Sequence, residues 1–162
     1  MTKNHTDKPL LEDPEMTFGG LGIAPQLLDV LLKQGFKIPT SIQHKAIPSA
    51  IEGKDIIGIA QTGTGKTLAF GIPLIQQIFK AGKGKGLIVL PTRELALQIN
   101  EALQKIGRGF GIRTAVLIGG SPIRPQILTL RNDPHVVIGT PGRIIDHMEQ
   151  RSLGLHDVSI LV

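Results

Sequence analysis

The fold is decided by the stretch Ala60-Gln61-Thr62-Gly63-Thr64-Gly65-Lys66-Thr67, which follows the apolar run 56–59 and opens a segment of helical spacing. Its glycines let the backbone curl until successive N–H groups point inward at a phosphate chain, and the following helix adds the positive end of its dipole. In such a loop Lys66 reaches the β- and γ-phosphates, and the hydroxyl of Thr67 binds Mg²⁺. The sequence therefore predicts a nucleoside triphosphate site between a strand and a helix.

One residue of this loop departs from the usual spacing. The pattern G-x-x-x-x-G-K-[ST] begins with glycine, whereas this chain has Ala60. Alanine is small enough to be tolerated if the position needs no positive φ. The Asn-Lys-x-Asp pattern that is typical of guanine-specific proteins is absent from the sequence, and the loop by itself does not identify the base.

Short apolar runs alternate with segments of helical spacing along the rest of the chain. The runs cover residues 56–60, 87–90, 114–118, 136–138 and 158–162. Continuous Ile, Val and Leu without polar alternation predict strands that are buried on both faces of a sheet. Strands that alternate with helices predict right-handed crossovers. The predicted fold class is therefore α/β, a mostly parallel sheet with helices on both faces.

Helix boundaries are predicted from capping and breaking residues. The first helix opens at Pro25, carries four leucines on one face and stops at Gly35. A second helix is capped by Thr40 and interrupted at Pro48. The clearest helical spacing covers residues 93–106, with a glycine directly after it as the stop.

Composition and charge narrow the partners and the compartment. The formal net charge of +5 suggests a polyanionic partner such as nucleic acid, although many basic domains only carry a solvated positive surface. The absence of cysteine excludes a disulfide framework, a thiolate metal site and a cysteine nucleophile, and it fits a reducing cytoplasm, which is the predicted location. No apolar run approaches the roughly 20 residues that cross a bilayer, so no membrane partner is predicted.

The length of the chain predicts one domain with a tail. Residues 1–16 mix both charges and include two prolines, which predicts a disordered N-terminal tail rather than a signal peptide. Residues 17–162 are enough for one domain and too few for two of ordinary size. Within this domain the stretch Gly82-Lys83-Gly84-Lys85-Gly86 is predicted to be a flexible basic loop.

Candidate base-binding residues lie upstream of the loop. The segment reads Gly35-Phe36-Lys37-Ile38-Pro39-Thr40-Ser41-Ile42-Gln43, and an isolated Phe18 precedes it. A glutamine amide can donate and accept one hydrogen bond each, which matches the N6/N7 edge of adenine, and an aromatic ring can cover the face of a base. Taken singly, Gln43 also fits an ordinary helix-surface residue, and Phe36 fits a core residue.

Five segments together resemble the DEAD-box family of RNA helicases. Residues 35–43, with Phe18 as the upstream aromatic, look like the Q motif, and residues 60–67 look like motif I, in which alanine is the usual first residue. Residues 91–98, Pro91-Thr92-Arg93-Glu94-Leu95-Ala96-Leu97-Gln98, are similar to motif Ia. The remaining two are Gly119-Gly120, which resembles the GG doublet, and Thr140-Pro141-Gly142-Arg143, which resembles motif Ib. They occur in the order found in the family and cover nearly the whole chain from Phe18.

The resemblance implies the first RecA-like domain of a P-loop NTPase, with ATP and Mg²⁺ as cofactors. Gln43 would read adenine, and Phe36 or Phe18 would pack on its ring. Lys66 and Thr67 would hold the phosphates and Mg²⁺ for hydrolysis, with the loop residues Ala60, Gln61, Thr62, Gly63, Thr64 and Gly65 around them. The track for single-stranded RNA would comprise Pro91, Thr92, Arg93, Gly119, Gly120, Thr140, Pro141, Gly142 and Arg143.

The expected contacts with RNA involve its backbone. Thr92 and Thr140 each precede a helical segment, so exposed N–H groups there can receive phosphates, and Arg143 supplies charge without reading a base. Binding would then be independent of base sequence and sensitive to salt. The competing interpretation of the same loops is a set of helix caps and turns, with Arg93 or Arg143 in structural ion pairs.

The resemblance also implies parts that the 162 residues do not contain. Residues 159–162 resemble the strand that leads into Asp-Glu-Ala-Asp, whose acids hold Mg²⁺ and orient the attacking water. The Ser-Ala-Thr motif, whose strand lies between the P-loop strand and the last strand here, and the second RecA-like domain would follow. Without that strand, we expect the P-loop strand and the last strand here to expose unpaired backbone and apolar faces. We therefore expect residues 17–162 to be a partial helicase ATP-binding domain, incomplete at its C-terminus, marginally stable or prone to aggregation, and without ATPase or unwinding activity by itself.

Two alternatives to an enzyme fragment remain at this point. The chain could be a truncated module that binds adenine nucleotide or RNA without turnover. A P-loop kinase for small molecules would also place a triphosphate near Lys66. Such a kinase needs a lid with several arginines, and the sequence after Thr67 has none before Arg93.

Overall fold

The computed structural model describes residues 17–82 and 84–162, so the predicted disordered tail, residues 1–16, lies outside the described residues. The sheet has four strands, which are β1 (Lys85–Val89), β2 (Thr114–Leu117), β3 (Val136–Gly139) and β4 (Val158–Leu161). Their order across the sheet is β2-β3-β1-β4, and every pair of neighbours is parallel. The predicted α/β class with a parallel sheet is confirmed.

The described part of the chain also forms six α-helices and two short 3-10 helices. The α-helices are α1 (Pro25–Lys33), α2 (Ser41–Ile51), α3 (Lys66–Ala81), α4 (Arg93–Gly107), α5 (Ile123–Arg131) and α6 (Pro141–Glu149). The 3-10 helices are Phe18–Leu21 and Arg108–Phe110. None of the helices among the described residues is long and apolar enough to cross a membrane.

Two predicted boundaries were wrong. Helix α2 runs through Pro48 to Ile51 instead of stopping there. The proline removes one backbone donor, but the preceding Ile47 is fully buried in the core, and its packing keeps the helix in place. The predicted loop 82–86 is also too long, because Lys85 and Gly86 pair with their neighbours as the first residues of β1.

Alternate residues of the central strands face two separate helix layers. Ile88 of β1 and Ile138 of β3 lie in the main core, with residues of α3 and α4. Leu87 and Val137, one position earlier on the same strands, pack in a smaller cluster with Ile144 of α6. Because successive side chains of a strand point to opposite faces, this division confirms the prediction of helices on both faces.

The predicted strand at residues 56–60 does not form. Residues 54–60 run without strand pairing, and the side chains of Ile57 and Ile59 are 93% and 92% exposed. On this side the described sheet ends at β4, whose Leu161 is also largely exposed. An apolar run cannot join a sheet without a neighbouring strand to satisfy its backbone groups. The prediction of a buried strand was therefore wrong for these residues.

A cavity of about 480 Å³ separates the unpaired segment 54–60 from β4. Its walls are Lys54, Asp55, Ile56 and Gly58 on one side and residues 159–162 on the other, while α2 and α3 close it from one face. This is the position at which the family resemblance places the Ser-Ala-Thr strand. The exposed apolar residues expected beside that position are found at Ile57, Ile59 and Leu161, but residues 56–60 do not form the expected strand.

An ion cluster stabilises the amino ends of three strands. Lys85 Nζ lies 2.9 Å from Asp133 Oδ1 and 2.6 Å from Asp157 Oδ2. Hydrogen bonding to Lys85 lowers the pKa of both carboxyl groups, and the same bonds raise the pKa of Lys85. The carboxylates therefore stabilise the fold above their unfolded pKa of about 4, and this contribution is lost as the pH falls through their lower folded pKa. The contribution of Lys85 is lost only as the pH rises through its folded pKa, which lies above the ordinary value.

Replacing Lys85 with methionine should lower the free energy of unfolding by about 1 kcal/mol at neutral pH, because a partly buried pair loses one charge. The difference from the unmodified chain should start to shrink below about pH 4, the unfolded pKa of the carboxyl groups, and disappear once the pH has fallen through their lower folded pKa. Urea unfolding of both proteins at several pH values measures this difference in the free energy of unfolding. Lys33→Met is the control, since its ion pair with Asp29 is exposed to solvent. An equal loss in both variants would contradict a special role for the cluster.

Candidate functional site

The glycine-rich loop leads directly into α3, which begins at Lys66. Gly63 and Gly65 have φ of 78° and 88°, in the left-handed region that favours glycine. Among the described residues other than glycine, positive φ occurs only at Asp133 and Arg151, so Ala60 adopts an ordinary conformation. This explains why alanine can stand where the general pattern has glycine.

The Lys66 side chain folds back into its own loop. Its Nζ donates hydrogen bonds to the carbonyl oxygens of Ala60 and Gln61, the latter at 3.1 Å. The Thr64 hydroxyl donates to the same Gln61 oxygen at 2.7 Å. The ammonium group is therefore already held inside the curl, where an anion could replace the carbonyl oxygens as its partner. Thr67 follows in the first turn of α3 and is half-buried.

Gln43 connects α2 to this loop. Its Oε1 accepts a hydrogen bond from the Thr40 backbone N–H at 2.9 Å, and its Nε2 donates to the Gly65 carbonyl at 3.0 Å. The side chain is buried, so the interpretation as an ordinary surface residue was wrong. A glutamine amide has two N–H groups and two acceptor lone pairs. After these two bonds it keeps one donor and one acceptor site, the number that the adenine edge requires, although the residue is only 3% exposed.

The two candidate aromatics differ in exposure. Phe18 is 1% exposed and belongs to the main core, so its ring is not open to a ligand. Phe36 is 37% exposed and lies between α1 and α2. The structure therefore does not support Phe18 as a cover for a base, and Phe36 is the remaining candidate.

A second cleft, of about 560 Å³, forms at the carboxyl ends of β1, β2 and β3. Its lining consists of Pro91, Thr92, Arg93, Glu94, Gly119, Thr140, Gly142, Arg143 and Asp146. Seven of the nine residues assigned to an RNA track by resemblance are among them. The other two, Gly120 and Pro141, adjoin lining residues in the chain. The loops converge because the carboxyl ends of parallel strands share one edge of the sheet.

Two helix N-termini open onto the cleft. Thr92 is the N-cap of α4, and its side chain accepts a hydrogen bond from the Leu95 N–H at 3.2 Å. Thr140 is the N-cap of α6, with Pro141 at the first helical position. The first backbone N–H groups of a helix have no partner within the helix and carry the positive end of its dipole. The cleft can therefore receive anions through backbone groups.

The side-chain charges in the cleft nearly cancel. Arg93 lies against the glycine doublet so closely that a Cβ added to Gly120 would overlap its guanidinium. Arg143 Nη1 donates to the Ser121 carbonyl at 3.0 Å, while its Nε lies 3.3 Å from Asp146 Oδ2 without forming a hydrogen bond. Glu94 and Asp146 offset the two arginines. Anion binding in the cleft would thus depend more on the backbone N–H groups of the helix N-termini, and less on the charge of the arginines, than the sequence predicted.

The acidic residues of the cleft were not predicted as part of it. Glu94 belongs to the segment that resembles motif Ia but is not among the residues assigned to the RNA track, and the spacing of Arg143 and Asp146, three residues apart on α6, is the signal available for their pairing. No group of three or more His, Cys, Asp or Glu residues suited to a metal occurs in residues 17–82 and 84–162.

The sequence matches a known family. Residues 40–162 match the family model described as DEAD/DEAH box helicase. Over 147 residues the chain is 46% identical to the DEAD-box ATP-dependent RNA helicase CshA of Bacillus cereus. This match covers 90% of the chain and 28% of that protein, so the chain spans less than a third of this relative.

Solved structures with the same fold are also similar in sequence. A DEAD box protein from Methanococcus jannaschii superposes with a TM-score of 0.84 at 37% identity, covering 90% of this chain and 40% of that one. A hypothetical ATP-dependent RNA helicase from Sulfolobus tokodaii has a TM-score of 0.76 at 36% identity, covering 84% and 39%. The α/β fold therefore agrees with that of solved proteins.

Proposed function

Because the chain belongs to the DEAD/DEAH box helicase family, we propose that it is part of an ATP-dependent RNA helicase and that it binds ATP and single-stranded RNA. The observation that carries this proposal is the cleft in which three separate loops meet, with two helix N-termini open to phosphate. A second RecA-like domain is its expected partner in the working enzyme. The cytoplasmic location stays a prediction.

The loop 60–67 fits the triphosphate of ATP. Its curled backbone supplies N–H groups, and the Lys66 ammonium would exchange two carbonyl oxygens for phosphate oxygens. The hydroxyl of Thr67 would bind Mg²⁺, which in turn offsets the phosphate charge. Gln43 would read adenine with its remaining donor and acceptor, while Phe36 covers the ring. Bound ATP supplies the energy for separating short RNA duplexes.

RNA binding is proposed to use the phosphate backbone. The N–H groups at the starts of α4 and α6, together with Arg93 and Arg143, offer donors at a shared edge without a pocket for a particular base. Fluorescence anisotropy with labelled single strands of two unrelated sequences tests this. We expect similar affinities for both sequences. The logarithm of the affinity should fall linearly with the logarithm of the salt concentration, because phosphate contacts release counterions. Strong preference for one sequence, or no binding at low salt, would contradict the proposal.

Hydrolysis of ATP by the 162-residue chain alone is considered separately from binding. We expect no RNA-stimulated phosphate release, because residues 158–162 carry no carboxylate that could orient the attacking water at the end of β4. Binding of adenine nucleotide or RNA without hydrolysis is therefore the second candidate function, for the chain by itself. Phosphate release above that of the Lys66→Met variant would refute this expectation.

Gln43→Ala should reduce the preference for ADP over GDP, measured by titration calorimetry, by about tenfold, the loss expected for one or two hydrogen bonds to the base. Gln34→Ala is the matched control, since this glutamine bonds to the Lys105 carbonyl on the protein surface. Equal affinities of the unmodified chain for ADP and GDP would refute the role given to Gln43.

A further inference from the structure

Three polar side chains are buried in the described part of the chain, and two of them contact each other. His147 of α6 is fully buried, and its Nε2 lies 3.1 Å from Oε1 of Gln126 on α5. Its Nδ1 lies 2.7 Å from the hydroxyl of Ser152. Buried polar groups are costly without partners, so each atom of this group should have an assigned hydrogen bond.

The orientation of the Gln126 amide is determined by its backbone partners. Nε2 donates to the Ile118 carbonyl at 3.0 Å and lies 3.5 Å from the Pro122 carbonyl. Only the NH₂ end can serve carbonyl oxygens, so the oxygen end faces His147. His147 must then carry a proton on Nε2 and donate it to Gln126 Oε1.

The other ring nitrogen has a partner in either charge state. In the neutral ring Nδ1 accepts the Ser152 hydroxyl proton. If the ring is protonated, Nδ1 donates to Ser152 Oγ, whose proton can turn to the His147 carbonyl 3.0 Å away. Burial lowers the pKa of His147, with the Arg143 charge acting in the same direction and Asp146 opposing it. At neutral pH the ring is therefore neutral, with its proton on Nε2.

The hydrogen bonds that join Ser152, His147 and Gln126 connect two of the loops that form the cleft. The Ile118 carbonyl directly precedes the glycine doublet, and His147 lies two turns into α6, whose N-terminus borders the cleft. A second hydrogen bond, which does not involve these three residues, runs from Arg143 to the Ser121 carbonyl. Loop 118–121 is therefore attached to α6 at both of its ends, and neither His147 nor Gln126 lines the cleft.

We propose that His147 and Gln126 are positioning residues that fix loop 118–121 against the N-terminus of α6 and so set the spacing at which RNA phosphates are received. This inference rests on the proposed function of the cleft. The two side chains act through the Ile118 carbonyl, to which Gln126 donates, and the arrangement requires a proton on His147 Nε2. It predicts that RNA affinity depends on two side chains that RNA does not touch.

The first test separates positioning from stability. His147→Leu leaves the Gln126 oxygen without a donor and should weaken RNA binding about tenfold, with ADP affinity unchanged, whereas His147→Gln keeps an N–H donor and should restore most of the affinity. The double variant His147→Leu with Gln126→Leu replaces both partners by apolar groups. It should recover part of the thermal stability but not RNA affinity, since removing Gln126 also takes the donor away from the Ile118 carbonyl. His156→Leu, at an exposed position, is the control.

The outcomes of these measurements are distinct. His147→Leu that binds RNA as tightly as the unmodified chain overturns the inference, and so does a double variant that regains both stability and affinity. An unmodified chain that fails to bind RNA at low salt refutes the proposed function instead.

Nitrogen-15 NMR of the histidine rings tests the hydrogen bond between His147 and Gln126 in the unmodified chain, even if a variant fails to fold. We expect the His147 ring at neutral pH to show a protonated Nε2 and an unprotonated Nδ1. We also expect the Gly119 amide resonance to shift in His147→Gln, because that amide adjoins the Ile118 carbonyl. The opposite tautomer would overturn the inference, whether or not RNA binds.

Discussion

Replacing Lys66 with methionine should abolish measurable adenine-nucleotide binding while leaving the fold intact. Lys66 is the only charged residue in the loop 60–67, and its ammonium already sits inside the curl of the backbone. Charge-assisted hydrogen bonds contribute about 1.5–3 kcal/mol each, so two lost phosphate contacts correspond to a loss of at least about 100-fold in affinity. Methionine keeps the length of the side chain and removes only its charge and donors.

The fold should tolerate this change because the Lys66 contacts lie within one loop. Its partners are carbonyl oxygens of Ala60 and Gln61, which water can satisfy in the variant because the loop is largely open to solvent. Lys80→Met, at an exposed position near the end of the same helix, is the matched control. Calorimetric titration with ATP measures the effect, and a thermal melt checks the fold. An affinity for ATP that falls by less than threefold in Lys66→Met would refute the phosphate-binding role.

The cleft could be predicted from sequence because its parts are local. Thr92, Gly119 and Thr140 each follow an apolar run by one or two residues. Once the runs are identified as parallel strands, their carboxyl ends must meet at one edge of the sheet, and the loops meet with them. The resemblance assigned them a common function, and the structure places them around one cavity.

The features that the sequence did not predict depend on distant contacts. The run 56–60 has the composition of a buried strand, but composition does not show whether a neighbouring strand is present to pair with it. The burial of Phe18 results from packing against helices later in the chain. The link between His147 and Gln126 joins residues 21 positions apart, and no local pattern indicates it.

Exposed isoleucines beside the open edge of β4 should make the 162-residue chain self-associate. Ile57 and Ile59 are almost fully exposed, and an edge strand such as β4 offers unpaired backbone groups to another chain. Burial of one isoleucine stabilises by about 1.5–3 kcal/mol, so the double variant Ile57→Lys, Ile59→Lys should weaken association by roughly 100-fold or more. Sedimentation velocity over a range of concentrations measures this effect.

Leu128→Lys is the control for this prediction, because Leu128 is an exposed apolar residue of α5, away from the cavity between segment 54–60 and β4. We expect it to associate as strongly as the unmodified chain, since a general effect of added charge would act equally at both places. If all three proteins are monomeric at every concentration and melt cooperatively well above room temperature, segment 54–60 is protected in a way that its exposure does not reveal. That result would contradict both the predicted association and the predicted marginal stability.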